Sequence, residues 1–246
     1  MEPMKKILVV GDSCNDVYTY CHSTRLAPDK PVPVLEIDGV TTTPGMAMNV
    51  LMNVESLHKN VDIITNPNWQ YNQKNRYVDK NSNHMFMRVD TSTIIERIDT
   101  STINYNEYDT IIISDYNKGF LTEEDIEEIC TVHSQVFLDT KKVLGSWSSG
   151  AKYIKINNYE YERSKKFIKS HIKHKVIQTM GSKGCSYCGK IYSVEPADVI
   201  DVSGAGDTFM ASLCVKYTQT GDISTSIDFA NMCASKVVRK KGTSII

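Results

Sequence analysis

The sequence predicts an α/β fold: a mainly parallel central sheet, helices on both of its faces, and a small β lid. Three observations point there. Short apolar runs such as ILVV (7–10), TIIIS (110–114) and VFLD (136–139) read as strands buried on both faces. Stretches with helical spacing of apolar residues fall between such runs, as crossovers between parallel strands require. Two further strand-like segments, about 31–44 and 76–90, do not alternate with helices in this way and form a separate small sheet.

The elements follow in order. KKILVV (5–10) opens with two lysines before an apolar run, as a signal peptide would. The run covers only Ile7 to Val10 and then meets Gly11-Asp12, so it is a first buried strand. PVPVLEIDGV (31–40) alternates in period two behind a proline-rich entry and reads as an edge or lid strand. Ala47, Val50, Leu51, Val54 and Leu57 lie on one face of a helix from Met46 to Leu57. VDIIT (61–65) is a strand, NPNWQYNQKN (66–75) a loop, and RYVDKNSNHMFMRVD (76–90) a hairpin turning at Asn81-Ser82-Asn83. After TIIIS, Thr122 and Asp125 form a capping box for a helix through about His133, with Leu121 and Ile126 as its hydrophobic staple. VFLD, KYIKI (152–156) and KVIQT (175–179) add strands, and MGSKG leads to another strand pair. Helices at about 206–219 and 223–240 close the chain, with Gly242 as the C-terminal stop.

With 246 residues and no internal repeat, the chain reads as a single domain over 1–246. A net charge of -1 gives no electrostatic reason to expect a nucleic-acid partner, and no apolar run is long enough to cross a bilayer. The expected location is cytoplasmic. Seven scattered cysteines argue against a disulfide framework. Cys185 and Cys188 make the one CxxC; on a strand they face opposite sides, which suits neither a metal nor a bridge.

The chemistry is concentrated in DVSGAGDTF (201–209). There is no P-loop and no complete G-x-G-x-x-G, yet Gly204-Ala205-Gly206 still precedes the helical pattern Phe209, Met210, Leu213, Tyr217. Unpaired N–H groups at such a helix start attract an anion, and glycines let it approach closely. Asp207 then lies in the first turn. It fits a plain dipole-complementing acid. It fits equally a general base that takes a proton from an attacking hydroxyl while the adjacent N–H groups hold phosphoryl oxygens.

DVSGAGDTF resembles the C-terminal signature of the ribokinase-like (PfkB-type) carbohydrate kinases. The resemblance implies a ribokinase-like three-layer fold, Asp207 as catalytic base and Gly204, Ala205 and Gly206 as the anion hole. Gly45-Met46-Ala47-Met48-Asn49 resembles the family's sugar-site G-G-x-x-x-N, implying substrate contacts from Gly45 and Asn49. Asn157-Asn158-Tyr159-Glu160 resembles its N-x-x-E, implying ATP contacts and, through Glu160 and an intervening water, Mg2+. Thr179-Met180-Gly181-Ser182-Lys183-Gly184 resembles its nucleotide loop, and Asn231 in F-A-N falls near the adenine. Each is unremarkable alone, since turn glycines and surface acids are common; their shared order is not.

Within the family, RLAPDKPVPVLEID (25–38), SDYNKG (114–119), LDTKK (138–142) and FANMCASKVVRKKGTS (229–244) resemble the heptose-phosphate kinases. These transfer the γ-phosphoryl group of ATP to the anomeric hydroxyl of D-glycero-D-manno-heptose 7-phosphate. The resemblance implies sugar contacts from Asp12 and Asp16, a substrate-phosphate contact from Arg88, and a substrate contact from Lys118. It also implies a homodimer formed through the lid, and, with the chain ending at Ile246, a kinase without an adenylyltransferase domain. Two departures stand out. Met46 occupies the second glycine of the sugar-site pair, and the region of about 58–75 is much shorter than in the family. A kinase for another sugar or a nucleoside, and a non-catalytic relative that binds nucleotide or sugar phosphate, are the alternative readings.

Overall fold

The structure is a computed structural model and describes residues 4–246. From the N-terminus the strands are β1 (Ile7–Gly11), β2 (Ser13–His22), β3 (Glu36–Met46), β4 (Val61–Thr65), β5 (Gln73–Asp79), β6 (Met85–Thr91), β7 (Thr110–Asp115), β8 (Val136–Thr140), β9 (Tyr153–Asn157), β10 (Val176–Thr179), β11 (Cys185–Tyr187) and β12 (Lys190–Tyr192). The helices are α1 (Ala47–Leu57), α2 (Glu123–Val132), α3 (Asn158–Phe167), α4 (Ala205–Thr220) and α5 (Ile223–Val237).

The large sheet runs β12-β11-β10-β9-β8-β7-β1-β4, parallel except for the antiparallel β11 and β12 at one edge. Alternation along each strand feeds two cores. Leu8 and Val10 join Ile111, Ile113 and Leu138 beneath Ile126 and Ile129 of α2. Ile7 and Val9 join Ile112 and Phe137 beneath Val50 and Val54 of α1, Phe209 and Leu213 of α4, and Ile227 of α5. Each such side chain contributes about 1.5–3 kcal/mol by leaving water, so these strands are held by both layers at once. The capping box on α2 is present: the Thr122 hydroxyl accepts from the Asp125 N–H, and the Asp125 carboxylate accepts from the Thr122 N–H. Among the described residues, no helix is long and apolar enough to cross a membrane.

The second sheet, β3-β2-β5-β6, is the lid, and it differs from the expectation in three ways. One of its two inner strands, β2, has no counterpart among the elements expected from the sequence. Asp16 is on a strand, paired with β3 on one side and β5 on the other. The strand expected at 31–40 begins only at Glu36, because Pro31 and Pro33 have no N–H to give a ladder; Leu26 and Pro33 make an isolated bridge instead. It then continues past residue 44 to Met46. β5 begins at Gln73, inside the expected loop, and a short 3-10 turn over Trp69–Tyr71 is all that separates it from the region after β4. At the other end of the chain, α5 stops at Val237, so Gly242 is not its cap; its N–H donates to Asp201.

The tail after α5 fastens the lid to the body. The Thr243 hydroxyl donates to Asp16 and lies 3.2 Å from the Tyr18 hydroxyl, and Lys241 Nζ donates to the Lys80 carbonyl at 2.9 Å. Asn83, at the tip of the β5–β6 hairpin, donates to the Ile200 carbonyl.

Candidate active site

The candidate residues gather where β1, β7, β8, β9 and β10 end, beside the first turn of α4, the place where open α/β sheets take their ligands. Gly204 caps α4 with φ at 77°, a left-handed conformation that only glycine adopts without strain. That turn brings Asp207 inward, 4% exposed, and the first N–H of α4, that of Ala205, donates to the Val202 carbonyl at 3.2 Å, which leaves the N–H groups of Gly204 and Gly206 as the anion-hole candidates. Asn49 Nδ2 donates to Asp207 Oδ2 at 2.9 Å, and the Tyr116 hydroxyl donates to Oδ1 at 2.6 Å. Burial pushes the Asp207 carboxyl above the ordinary carboxylate value; these two hydrogen bonds only partly oppose that.

A second group of charges lies beneath the turn. Lys155 Nζ donates to Asp139 Oδ2 at 2.6 Å, both side chains buried, and a Cβ on Gly206 would stand 2.9 Å from that ammonium. Lys141 bridges Asp139 at 3.5 Å and Glu160 at 2.6 Å. Burial alone would raise Asp139, but Lys141 and Lys155 outweigh it and hold its carboxyl below the usual range. Asn157 and Glu160 cap α3 reciprocally: Asn157 Oδ1 accepts from the Glu160 N–H at 2.9 Å, and Glu160 Oε2 accepts from the Asn157 N–H at 2.8 Å. The oxygen of Asp139 that faces Lys141 is Oδ1, which is buried and accepts no hydrogen bond shorter than that 3.5 Å ion pair.

From the start of α4 a cavity of about 190 Å³ opens between the β10–β11 turn, the segment 194–202 and α5. Thr179, Gly184, Pro196, Phe209, Asn231 and Val238 are among its walls, and Ala205 and Gly206 stand at one end. Mostly apolar walls with a few polar groups, open toward an anion-binding turn, suit a flat base joined to phosphates. Gly181 lines the cavity; Lys183, on the same turn, is exposed and is not among its walls. The Asn231 amide lines it too, but its Nδ2 is committed to the Tyr192 carbonyl at 2.9 Å.

The other side of Asp207 faces the lid. Asp12 is fully buried: Oδ2 accepts from the Tyr116 N–H at 2.7 Å and Oδ1 from the Phe120 N–H at 3.3 Å, so this acid pins the 116–120 loop. Its carboxyl is raised by burial and by the nearby Asp115. Asp16 pairs with Arg76 at 2.5 Å and accepts from Thr243 at 3.2 Å. Gly45 leaves room for that carboxylate; a Cβ there would overlap Asp16 Oδ2. Met46 is buried at φ 61°, beside Ser13, Cys14 and the exposed Lys118 in a small cleft under the lid. Arg88 is not drawn into this group. Its guanidinium grips Asp90 at 2.8 and 2.9 Å and is half exposed, although the register places it opposite Arg76 on the same lid face.

Sequence reasoning assigned no role to Tyr116, Lys141, Lys155 or Arg76. The first two follow the ends of β7 and β8, a position that by itself marks ligand-facing residues in such sheets. Lys155 sits inside an apolar strand, where a lone charge is a signal of a buried partner.

Known proteins align with this geometry. The Thermotoga maritima ribokinase superposes with a TM-score of 0.71 at 15% identity, covering 97% of this chain and 94% of that one. The nucleoside kinase of Methanocaldococcus jannaschii superposes at 0.70 with 18% identity, covering 98% and 93%. These establish a ribokinase-like fold. In sequence, the Bifunctional protein HldE of Helicobacter pylori J99 is 29% identical across 98% of this chain, and that of Hydrogenovibrio crunogenus 27% across 98%. The chain spans 64% and 61% of the length of these two relatives. Residues 68–246 match the model of the pfkB family carbohydrate kinases, and the chain belongs to that family.

Proposed function

We propose that this protein transfers the γ-phosphoryl group of ATP to a hydroxyl of a sugar phosphate, with Asp207 as general base. The observation that carries the reading is the placement of Asp207: a buried carboxylate in the first turn of α4, between an anion-binding turn with its nucleotide-sized cavity and the acid-lined underside of the lid. The acceptor oxygen forms its bond to the γ-phosphorus as the bond to the ADP oxygen breaks, and the acceptor proton passes to Asp207. The N–H groups of Gly204 and Gly206 receive the transferred oxygens, with the Lys155 ammonium beneath Gly206 adding fixed positive charge. The lid keeps water from competing as acceptor.

Mg2+ fits the carboxylates present. Glu160 and Asp139 offer hard oxygen ligands that would hold such an ion through water while ATP supplies the rest, with Asp139 Oδ1 engaged only by the Lys141 ammonium at 3.5 Å. Bound there, it would neutralise phosphate charge.

For the acceptor we propose D-glycero-D-manno-heptose 7-phosphate, phosphorylated at its anomeric hydroxyl. The segments 25–38, 114–119 and 229–244 and the similarity to the HldE proteins support that choice. Asp12, Asp16, Gly45, Asn49 and Lys118 would shape the acceptor side, with Arg88 turning from Asp90 toward the distal phosphate. ADP release measured over a panel of sugars, with and without a 7-phosphate, tests this. Asp207→Asn should abolish release and keep ATP binding; unchanged turnover would remove Asp207 as the base. A wild type that binds ATP but phosphorylates nothing would favour the non-catalytic alternative.

We also propose pairing of two copies through the lid. Val40, Met87 and Val89 lie exposed on the lid face turned away from Asp16 and Arg76. Met87→Lys should lower the mass seen by analytical ultracentrifugation; a monomeric wild type would end the idea.

A further inference from the structure

We propose that Tyr116 holds the place of the acceptor hydroxyl on Asp207 and must be displaced by an acceptor before the base can act. The inference rests on the kinase reading above and concerns the same site.

Asp207 is 4% exposed and each of its oxygens already accepts a hydrogen bond, so an incoming hydroxyl reaches the base where one of those two donors now stands. Asn49 is fixed: it is 1% exposed, and its Oδ1 and its carbonyl both accept from Asn53, which in turn accepts from Thr208. Tyr116 is different. Its backbone is anchored by its N–H on Asp12, but the half-buried side chain has Asp207 as the partner of its hydroxyl. Rotation of that side chain alone uncovers Oδ1.

The phenol also has the right chemistry for a stand-in. It presents an O–H donor at 2.6 Å to the carboxylate, the relation an acceptor hydroxyl needs for proton transfer. Its ring is in cation–π contact with two ammonium groups, Lys74 of the lid at 4.6 Å and Lys141 of the body at 5.2 Å, so it touches both parts of the molecule. When it withdraws, both lysines lose an aromatic face at the moment an anionic substrate arrives.

The consequence is protection of ATP. In the wasteful reaction, a water oxygen would bond to the γ-phosphorus, the bond to ADP would break, and the water proton would pass to Asp207. With the phenol on Oδ1, water is kept from the position in which it would pass that proton to the base.

The test is ADP release from Mg·ATP with no sugar present. Tyr116→Phe should raise this leak about tenfold or more, the scale of one hydrogen bond to a charged group. Adding Asp207→Asn to it should return the leak to the wild-type level. A leak unchanged by Tyr116→Phe, or one that persists in the double variant, overturns the proposal. With an acceptor found by the sugar panel, Tyr116→Phe should lower the KM for that acceptor. A collapse of kcat with ATP affinity retained would instead make the phenol part of the proton path and overturn it. Should the wild type phosphorylate no sugar, the kinase reading fails, while the leak measurement still decides what Tyr116 does.

Discussion

Replacing Gly204 with alanine should damage stability and turnover together, and the structure gives the size of both effects. The residue sits at φ 77°, where a side chain costs about 1–2 kcal/mol. The added Cβ would also stand 2.8 Å from Asn49 Nδ2 and 3.0 Å from Thr243 Cγ2. Asn49 cannot swing aside, because Asn53 holds it, so the shift is taken by its 2.9 Å bond to Asp207. Weakening a hydrogen bond to a buried charge loses up to about 1.5–3 kcal/mol. A total near 3 kcal/mol lowers the Tm of a chain this size by about 6–12 °C. Gly206→Ala is the control. Its Cβ meets Lys155 Nζ at 2.9 Å, the end of a flexible side chain, and its backbone is ordinary helix. That variant should lose turnover with the smaller drop in Tm. Thermal unfolding followed by circular dichroism, with ADP release on the same samples, reads both quantities. A Gly204→Ala protein with wild-type Tm, or a Gly206→Ala protein that is the less stable of the two, would refute the reasoning.

Arg76→Met should destabilise the protein by about 3 kcal/mol or more in a urea titration, because it strands the buried Asp16 carboxylate; ATP affinity should hold while acceptor KM rises. Arg88→Ala should change stability by less than about 1 kcal/mol, since it removes a half-exposed pair. If Arg88 reaches the distal phosphate, the same variant raises KM for the 7-phosphate sugar and leaves that of the unphosphorylated sugar alone. The pH profile has a defined sign. As the proposed base, Asp207 acts ionised and burial raises its pKa, so turnover should fall as the pH drops through a value above the ordinary aspartate range. Tyr116→Phe removes one of the bonds that lower that pKa, and the acid limb of kcat/KM should move to higher pH.

What could be read from the sequence was local. The apolar runs of β1, β7 and β8, and the Thr122–Asp125 box, announce themselves within a few residues. DVSGAGDTF likewise brings its turn and Asp207 together along the chain. β2 was missed although Val17, Tyr18, Thr19 and Tyr20 favour strands, because its polar start, Ser13, Asn15 and Asp16, is satisfied from far away. The two lid arginines show the same limit. Arg76 and Arg88 face each other across one hairpin, but only Arg76 lies beside β2 and reaches Asp16. Tyr116 and Asn49 meet on Asp207 from opposite parts of the chain, and no spacing rule links them.

The lid's wiring also bears on how the chain folds. β7, β8, β9 and β10 are neighbours in both sequence and sheet, so each pairing closes a short stretch of chain. β2 and β5 pair in parallel from Asn15↔Gln73 to Cys21↔Asp79, with β3, α1 and β4 lying between them in sequence. Such a pairing closes a long loop and forms late, after nearer contacts have reduced the entropy it must overcome. Amides of β2 and β5 should therefore exchange with solvent ahead of those in β7 and β8. On that order the side proposed to hold nucleotide matures first, and the lid side proposed to select the acceptor is the last to form and the first to open.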